Sequence, residues 1–223
     1  MADFERGYGV ESTAVFAAVA KNRLRFADLI DSLDEADLRT GSLCAGWTVR
    51  DVAGHLAIAS DPSMPALVVA VLRAGGSYDR AMDRLSRESA ARPVAELTAT
   101  IRANAERRFA PPMVGPRGPL TDVLVHFLDV AVPLGLPYDF NPAEVRTCLE
   151  FVTAGRSAAF VPRKRLSGVR LESDDLAFSW GEGAQICGAG IDLLATACGR
   201  DAVLDQLSGA GVTLLRHRAV GRA

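Results

Sequence analysis

A change of hydrophobic rhythm near residue 136 limits what this chain can fold into. Before it, apolar residues recur at helical spacing. After "PLGLPYDFNP" short strand-like runs appear between turn residues. Val15, Phe16, Val19, Leu24, Leu29 and Ile30 predict a helix over roughly residues 11–33, because positions three and four apart share one helical face. Thr48 with Asp51 three residues on forms a capping-box pattern and predicts a helix from Val49 to about Ser60. A short apolar segment, Ala66 to Leu72, stops at Gly75 and Gly76. Amphipathic sequence follows from Tyr78 to Phe109, with Pro93 ending or kinking a helix. "APPMVGPRGP" reads as a loop, and Pro119 suits the first turn of a helix running to about Val132.

Residues from Pro142 to about Phe160 still read as helix. "GVRLESDD" and "LAFSW" read as two short strands, "GAGIDLLATACGR" as a helix closed near Gly199, "DAVLDQLSG" as a helical turn or two, and "GVTLLRH" as a strand. Helices followed by mixed short strands imply an α+β protein: a helical bundle over residues 1–136 and a small α+β domain over 137–223.

Composition narrows the function. The 25 basic and 27 acidic residues nearly balance, against the basic excess of a dedicated nucleic-acid binder. The one dense basic run, "PRKR" at Pro162 to Arg165, reads as a solvated connector. The polar start "MADFERGYGV" lacks signal-peptide character, and no apolar run is long enough for a bilayer. Cys44, Cys148, Cys187 and Cys198 form no C-x-x-C pair, as expected of free thiols in a reducing cytoplasm. Abundant Ala, Arg, Val and Gly with scarce Lys suit a GC-rich bacterial genome.

Chemistry concentrates on two histidines. His55 sits within the apolar helix "GWTVRDVAGHLA". In "TDVLVHFLDVAVPLG", Asp122 precedes His126 by four residues and Asp129 follows it by three. Residues four apart lie one turn above each other, so Asp122 and His126 face one way. With His55 from another helix they make a three-ligand set for a divalent metal, of the kind bundles build from facing helices, with positions left open for water or substrate. The competing reading makes His55 a hydrogen-bonded core residue and Asp122 a first-turn carboxylate favoured by the helix dipole.

"CAGWTVRDVAGHLA" and "TDVLVHFLDVAVPLG" together resemble the N-terminal, DinB-like four-helix bundle of the mycothiol-dependent maleylpyruvate isomerase family. "GAGIDLLATACGRDAVLDQLSGAGV" is similar to that family's small C-terminal domain. The resemblance implies a divalent metal, zinc by its chemistry, on His55, Asp122 and His126, with mycothiol as cosubstrate. Asp122 stands where the isomerase type has glutamate, which leaves open whether Asp122 or Asp129 completes the site. Asp129 is otherwise expected to orient His126.

The implied activity is isomerisation or thiol transfer on a small electrophilic substrate in an actinobacterial cytoplasm, with Arg200 of "ACGR" gripping a substrate carboxylate as a catalytic residue. For Arg200, a helix-terminal arginine beside Gly199 is the competing role. A non-catalytic metal- or ligand-binding protein is the alternative for the whole chain, and a sterol-carrier-like acyl-binding module a third. No nucleic-acid or membrane partner is expected, and the oligomeric state stays open.

Overall fold

The computed structural model describes residues 2–110, 114–155, 157 and 160–220, with side chains of 2–11 and 219–220 left aside. The chain forms two compact units. One comprises residues 1–109 and 122–137, and the other residues 110–121 and 138–223. Together they are α+β.

The first unit is helical: α1 (Ala2–Asp31), α2 (Glu35–Arg39), α3 (Val49–Ser60), α4 (Met64–Arg73), α5 (Tyr78–Ala90), α6 (Val94–Ala103) and most of α7 (Arg117–Ala131). The capping box forms as expected: Asp51 N–H donates to Thr48 Oγ1 at 3.2 Å and Thr48 N–H to Asp51 Oδ2 at 2.8 Å. These bonds satisfy two amides that a helix start otherwise leaves open. Val49, Val52, Leu56, Phe26, Ile30, Leu97, Ile101 and Leu124 are buried at helical spacing and form the core. Pro93 separates α5 from α6. The buried Arg23 donates to the carbonyls of Asn104, Ala105, Arg107 and Ala59, tying the ends of α3 and α6 to α1.

Gly54 sets how closely α3 approaches α5. A Cβ there would lie 2.5 Å from the Ser86 carbonyl oxygen and 2.7 Å from Ala90 N. Only glycine permits that backbone contact, and it places the neighbouring His55 against Ser86.

The second unit holds α8 (Pro142–Thr153), β1 (Val169–Ser173), β2 (Ser179–Gly181), β3 (Ala184–Gly188), α9 (Gly190–Ala197), a 3-10 turn (Asp201–Gln206) and α10 (Ala210–Val220). Its sheet order is β2-β1-β3, with β1 antiparallel to β2 and parallel to β3. The link from β2 to β3 must cross the start of β1. Gly183, at φ 125°, makes the crossing, where a Cβ would sit 2.3 Å from the Gly168 carbonyl oxygen.

Five expectations change here. β3 was not anticipated, because "AQICG" shows little of the β-branched alternation that marks a strand. "GVTLLRH" is helix α10 and not a strand. Its buried Gly211, Val212 and Leu215 follow helical spacing, and Gly211 lets the helix approach Ala184 and Gln185 of β3. The helix expected to reach Phe160 stops at Thr153, and residues 156, 158 and 159 lie outside the described set. Part of the loop expected at 110–119 lies outside it too, at 111–113, while its last three residues open α7. Finally, "PRKR" is not wholly solvated. Arg165 is buried, donating to the Thr196 carbonyl at 3.0 Å and pairing with Asp201 at 2.5 Å.

Candidate metal centre

His55 comes from the middle of α3, and Asp122 and His126 from successive turns of α7. Their ligand-type atoms all lie within 4.8 Å of one another. His55 Nε2 is 3.5 Å and His126 Nε2 3.4 Å from the same oxygen, Asp122 Oδ1. Both spacings exceed the ~2.7–3.2 Å of a good N–H···O bond. They match the roughly 3.3–3.6 Å separating two ligands that each bond a tetrahedral ion at about 2.0–2.2 Å. Two imidazoles and one carboxylate also form a donor set suited to a borderline divalent ion such as zinc. The residues fit a metal.

The far side of each ring is already engaged. His126 Nδ1 lies 2.9 Å from Oδ2 of Asp129, which is fully buried, and His55 Nδ1 lies 3.2 Å from Ser86 Oγ. These contacts leave Nε2 of both rings turned toward Asp122, as a metal ligand requires. Asp129 thus stands behind His126, and Asp122 faces both rings.

Three neighbours were missed in the sequence. Cys44 donates its S–H to Asp129 Oδ2 at 3.0 Å and lies 3.8 Å from His126 Nδ1. Cys44, His126 and Asp129 form a second cluster of ligand-type atoms. Its Asp129 oxygen is engaged with both partners, so it reads as support for His126. Trp47 packs over both imidazoles, stacked on His126 at 6.4 Å and tilted against His55 at 5.4 Å, and its indole N–H donates to Asp83 at 2.7 Å. Ser86 sits on the amphipathic α5, and only the Gly54 contact brings it to His55. Trp47 and Cys44 belong to the conspicuous segment "CAGWT", but nothing in their spacing signals the contact. Ser86 carries no sequence signal.

Electrostatics couples the constellation. Burial would raise the Asp122 carboxyl, but His126 and His55 outweigh it and hold the group well below the usual carboxylate range. Burial would likewise lower His126, yet Asp122 and then Asp129 and Cys44 lift it well above an ordinary histidine. Both shifts favour the charged forms of Asp122 and His126 when no metal is bound.

Arg200 lies in the second unit, at the start of the 3-10 turn, where its Nη1 donates to the Cys198 carbonyl at 2.7 Å. Gly199 beside it adopts φ 89° and closes α9. All four cysteines are free thiols. Among the described residues no helix is long and apolar enough to cross a membrane.

Fold and site define a helical bundle that gathers two histidines and an aspartate into one metal-type constellation, joined to a small α+β unit. The chain belongs to the family of the mycothiol maleylpyruvate isomerase N-terminal domain, whose sequence profile matches residues 19–131. Two solved structures share the fold. A crystal structure of the mycothiol-dependent maleylpyruvate isomerase aligns at 15% identity with a TM-score of 0.58. One of a histidine-to-alanine mutant of that isomerase aligns at 14% identity with a TM-score of 0.56. Each comparison covers 90% of this chain and 92% of the other. No curated protein sequence matches.

Proposed function

We propose that the protein is a divalent-metal enzyme that uses mycothiol to isomerise a small electrophilic substrate or to transfer the thiol to it, in an actinobacterial cytoplasm. The observation that carries this reading is the pair of Nε2 atoms held 3.4–3.5 Å from one Asp122 oxygen. Family membership supports it, as do the solved relatives named as mycothiol-dependent maleylpyruvate isomerase.

His55, Asp122 and His126 would hold the ion, with zinc favoured by the donor set. Once bound, such an ion acidifies a coordinating thiol and so supplies a nucleophile at neutral pH. Asp122 contributes the negative charge that offsets the cation. Asp129 keeps a proton at His126 Nδ1, and Ser86 occupies His55 Nδ1, so that both Nε2 lone pairs stay available. Trp47 covers the rings on one side and shields them from water. In this reading Arg200 binds a substrate carboxylate through its guanidinium fork.

His55→Ala should remove one ligand while the bundle persists, because Leu56, Val52 and their partners remain packed. Metal content after purification without chelator, and thiol-dependent turnover of an electrophile panel, should both collapse. Equal metal content in the two proteins would end the ligand assignment. A metal-loaded wild type inactive with every substrate would leave a binding protein.

A further inference from the structure

The second unit contains a cavity of about 340 Å³ that the proposed chemistry does not use. This volume falls within the ~300–1,000 Å³ typical of small-molecule sites. Trp180, Val152, Val161 and Leu166 supply apolar walls, and Arg163 and Lys164 of the "PRKR" run line it as well.

The charges around the cavity are not equivalent. Arg165 is neutralised by Asp201 and anchored to Thr196 O. Arg163 and Lys164 are exposed and have no carboxylate partner among the described residues. An adjacent cavity of about 370 Å³ shares Thr153 and Trp180 with the first, but its Arg146 is already paired with Glu150 at 3.0 Å. Of these two cavities, only the first is lined by cations without a carboxylate partner among the described residues, and Trp180 lines it beside them.

The loop is also fixed in shape. Arg218 of α10 donates to the carbonyls of Lys164, Arg165 and Ser167 at 3.5, 3.0 and 2.8 Å. Lys164 is the sole non-glycine residue with positive φ among those described, at 62°. A backbone held in that sparsely populated region needs surroundings that over-determine it, and the Arg218 bonds supply them.

The geometry points to a binding site for a small organic anion with a planar apolar body, an aryl carboxylate being the simplest case. Arg163 and Lys164 take the carboxylate through charge-assisted bonds, and Trp180 takes the ring face. The site stands independently of the metal reading.

Calorimetric titration of the full-length protein with 1-naphthoate tests it, with 1-naphthalenemethanol and inorganic phosphate as the uncharged and non-aromatic arms. Saturable one-to-one binding of naphthoate is expected, with both other probes much weaker. The double variant Arg163→Ala/Lys164→Ala should weaken naphthoate by about tenfold or more, since a charge-assisted contact is lost. Both residues are exposed, so folding should survive, and far-ultraviolet circular dichroism checks it. His55→Ala should bind naphthoate as wild type does, which separates this cavity from a carboxylate bound at the metal. No saturable binding, equal binding by the double variant, or loss of binding in His55→Ala would each overturn the proposal.

Discussion

His126 on α7 and His55 on α3 present the same ring nitrogen to the same carboxylate oxygen, yet their far nitrogens meet different partners. Behind His126 stands a fully buried carboxylate, Asp129, which also accepts from the Cys44 thiol. Behind His55 stands a neutral hydroxyl, Ser86. A carboxylate acceptor in a buried setting makes the ring more basic and fixes its tautomer firmly, while a hydroxyl can either donate or accept and so orients the ring without fixing its tautomer. The helices differ in the same sense. His126 is placed by its own helix, with Asp122 and Asp129 a turn away on either side. His55 depends on a close approach between two helices, set by Gly54. One imidazole is anchored electrostatically and the other by backbone packing.

The largest expected effect of that contrast is at Asp129. Asp129→Asn keeps the shape but removes the charge, and one amide oxygen must then serve both the imidazole and the thiol. Zinc affinity should fall by about 10- to 100-fold, the usual result of removing a carboxylate behind a ligating histidine. Competition with a chromophoric chelator measures it. An unchanged dissociation constant would show that Asp129 does not tune His126.

The second test is pH. His126 holds its proton more tightly in the folded metal-free protein than in the unfolded chain. Its stabilising contribution is therefore complete below about pH 6.5 and is lost as pH rises through the raised folded value. Asp122 runs the other way: its contribution is present above about pH 3.9 and is lost as pH falls through the lowered folded value. A metal competes with the His126 proton, so its own stabilisation should grow as pH rises. As pH rises above about 6.5, the chelator-treated protein should lose melting temperature relative to His126→Gln, while the gain from added zinc should widen. A metal-free melting temperature that follows the His126→Gln control throughout would mean that the ring is neutral without metal.

The difference between the two histidines also explains what the sequence revealed. Asp122, His126 and Asp129 lie within eight residues on one helix, so simple periodicity places them together. The Thr48 and Asp51 pair likewise announces α3 and puts His55 on it. Ser86 cannot be found this way, because its meeting with His55 is a property of two backbones touching at Gly54, thirty-two residues away. The same limit accounts for α10 and β3. In "GVTLLRH" the adjacent apolar residues fit either period, and close contact of Gly211 with β3 decides for helix. Arg165 reads as solvated beside Arg163 and Lys164, and only the fold brings Asp201 and the Thr196 carbonyl to it. Local periodicity was legible; contacts made by chain crossings were not.

The smallest expected effect is at Ser86, and it measures the contrast most directly. Ser86→Ala deletes the hydroxyl 3.2 Å from His55 Nδ1 and nothing else of substance, since Ser86 is fully buried and alanine fills nearly the same space. A neutral hydrogen bond contributes about 1 kcal/mol net, so zinc affinity should fall by roughly fivefold. The ring has little room to drift after the loss. The α3–α5 spacing is held by backbone contact at Gly54, and Trp47 still packs against the imidazole at 5.4 Å. The same chelator competition, run beside Asp129→Asn, reads the ratio of the two effects. A loss at Ser86 as large as that at Asp129 would mean that the hydroxyl and the carboxylate support their histidines equally, and the distinction between an electrostatic and a packing anchor would fail.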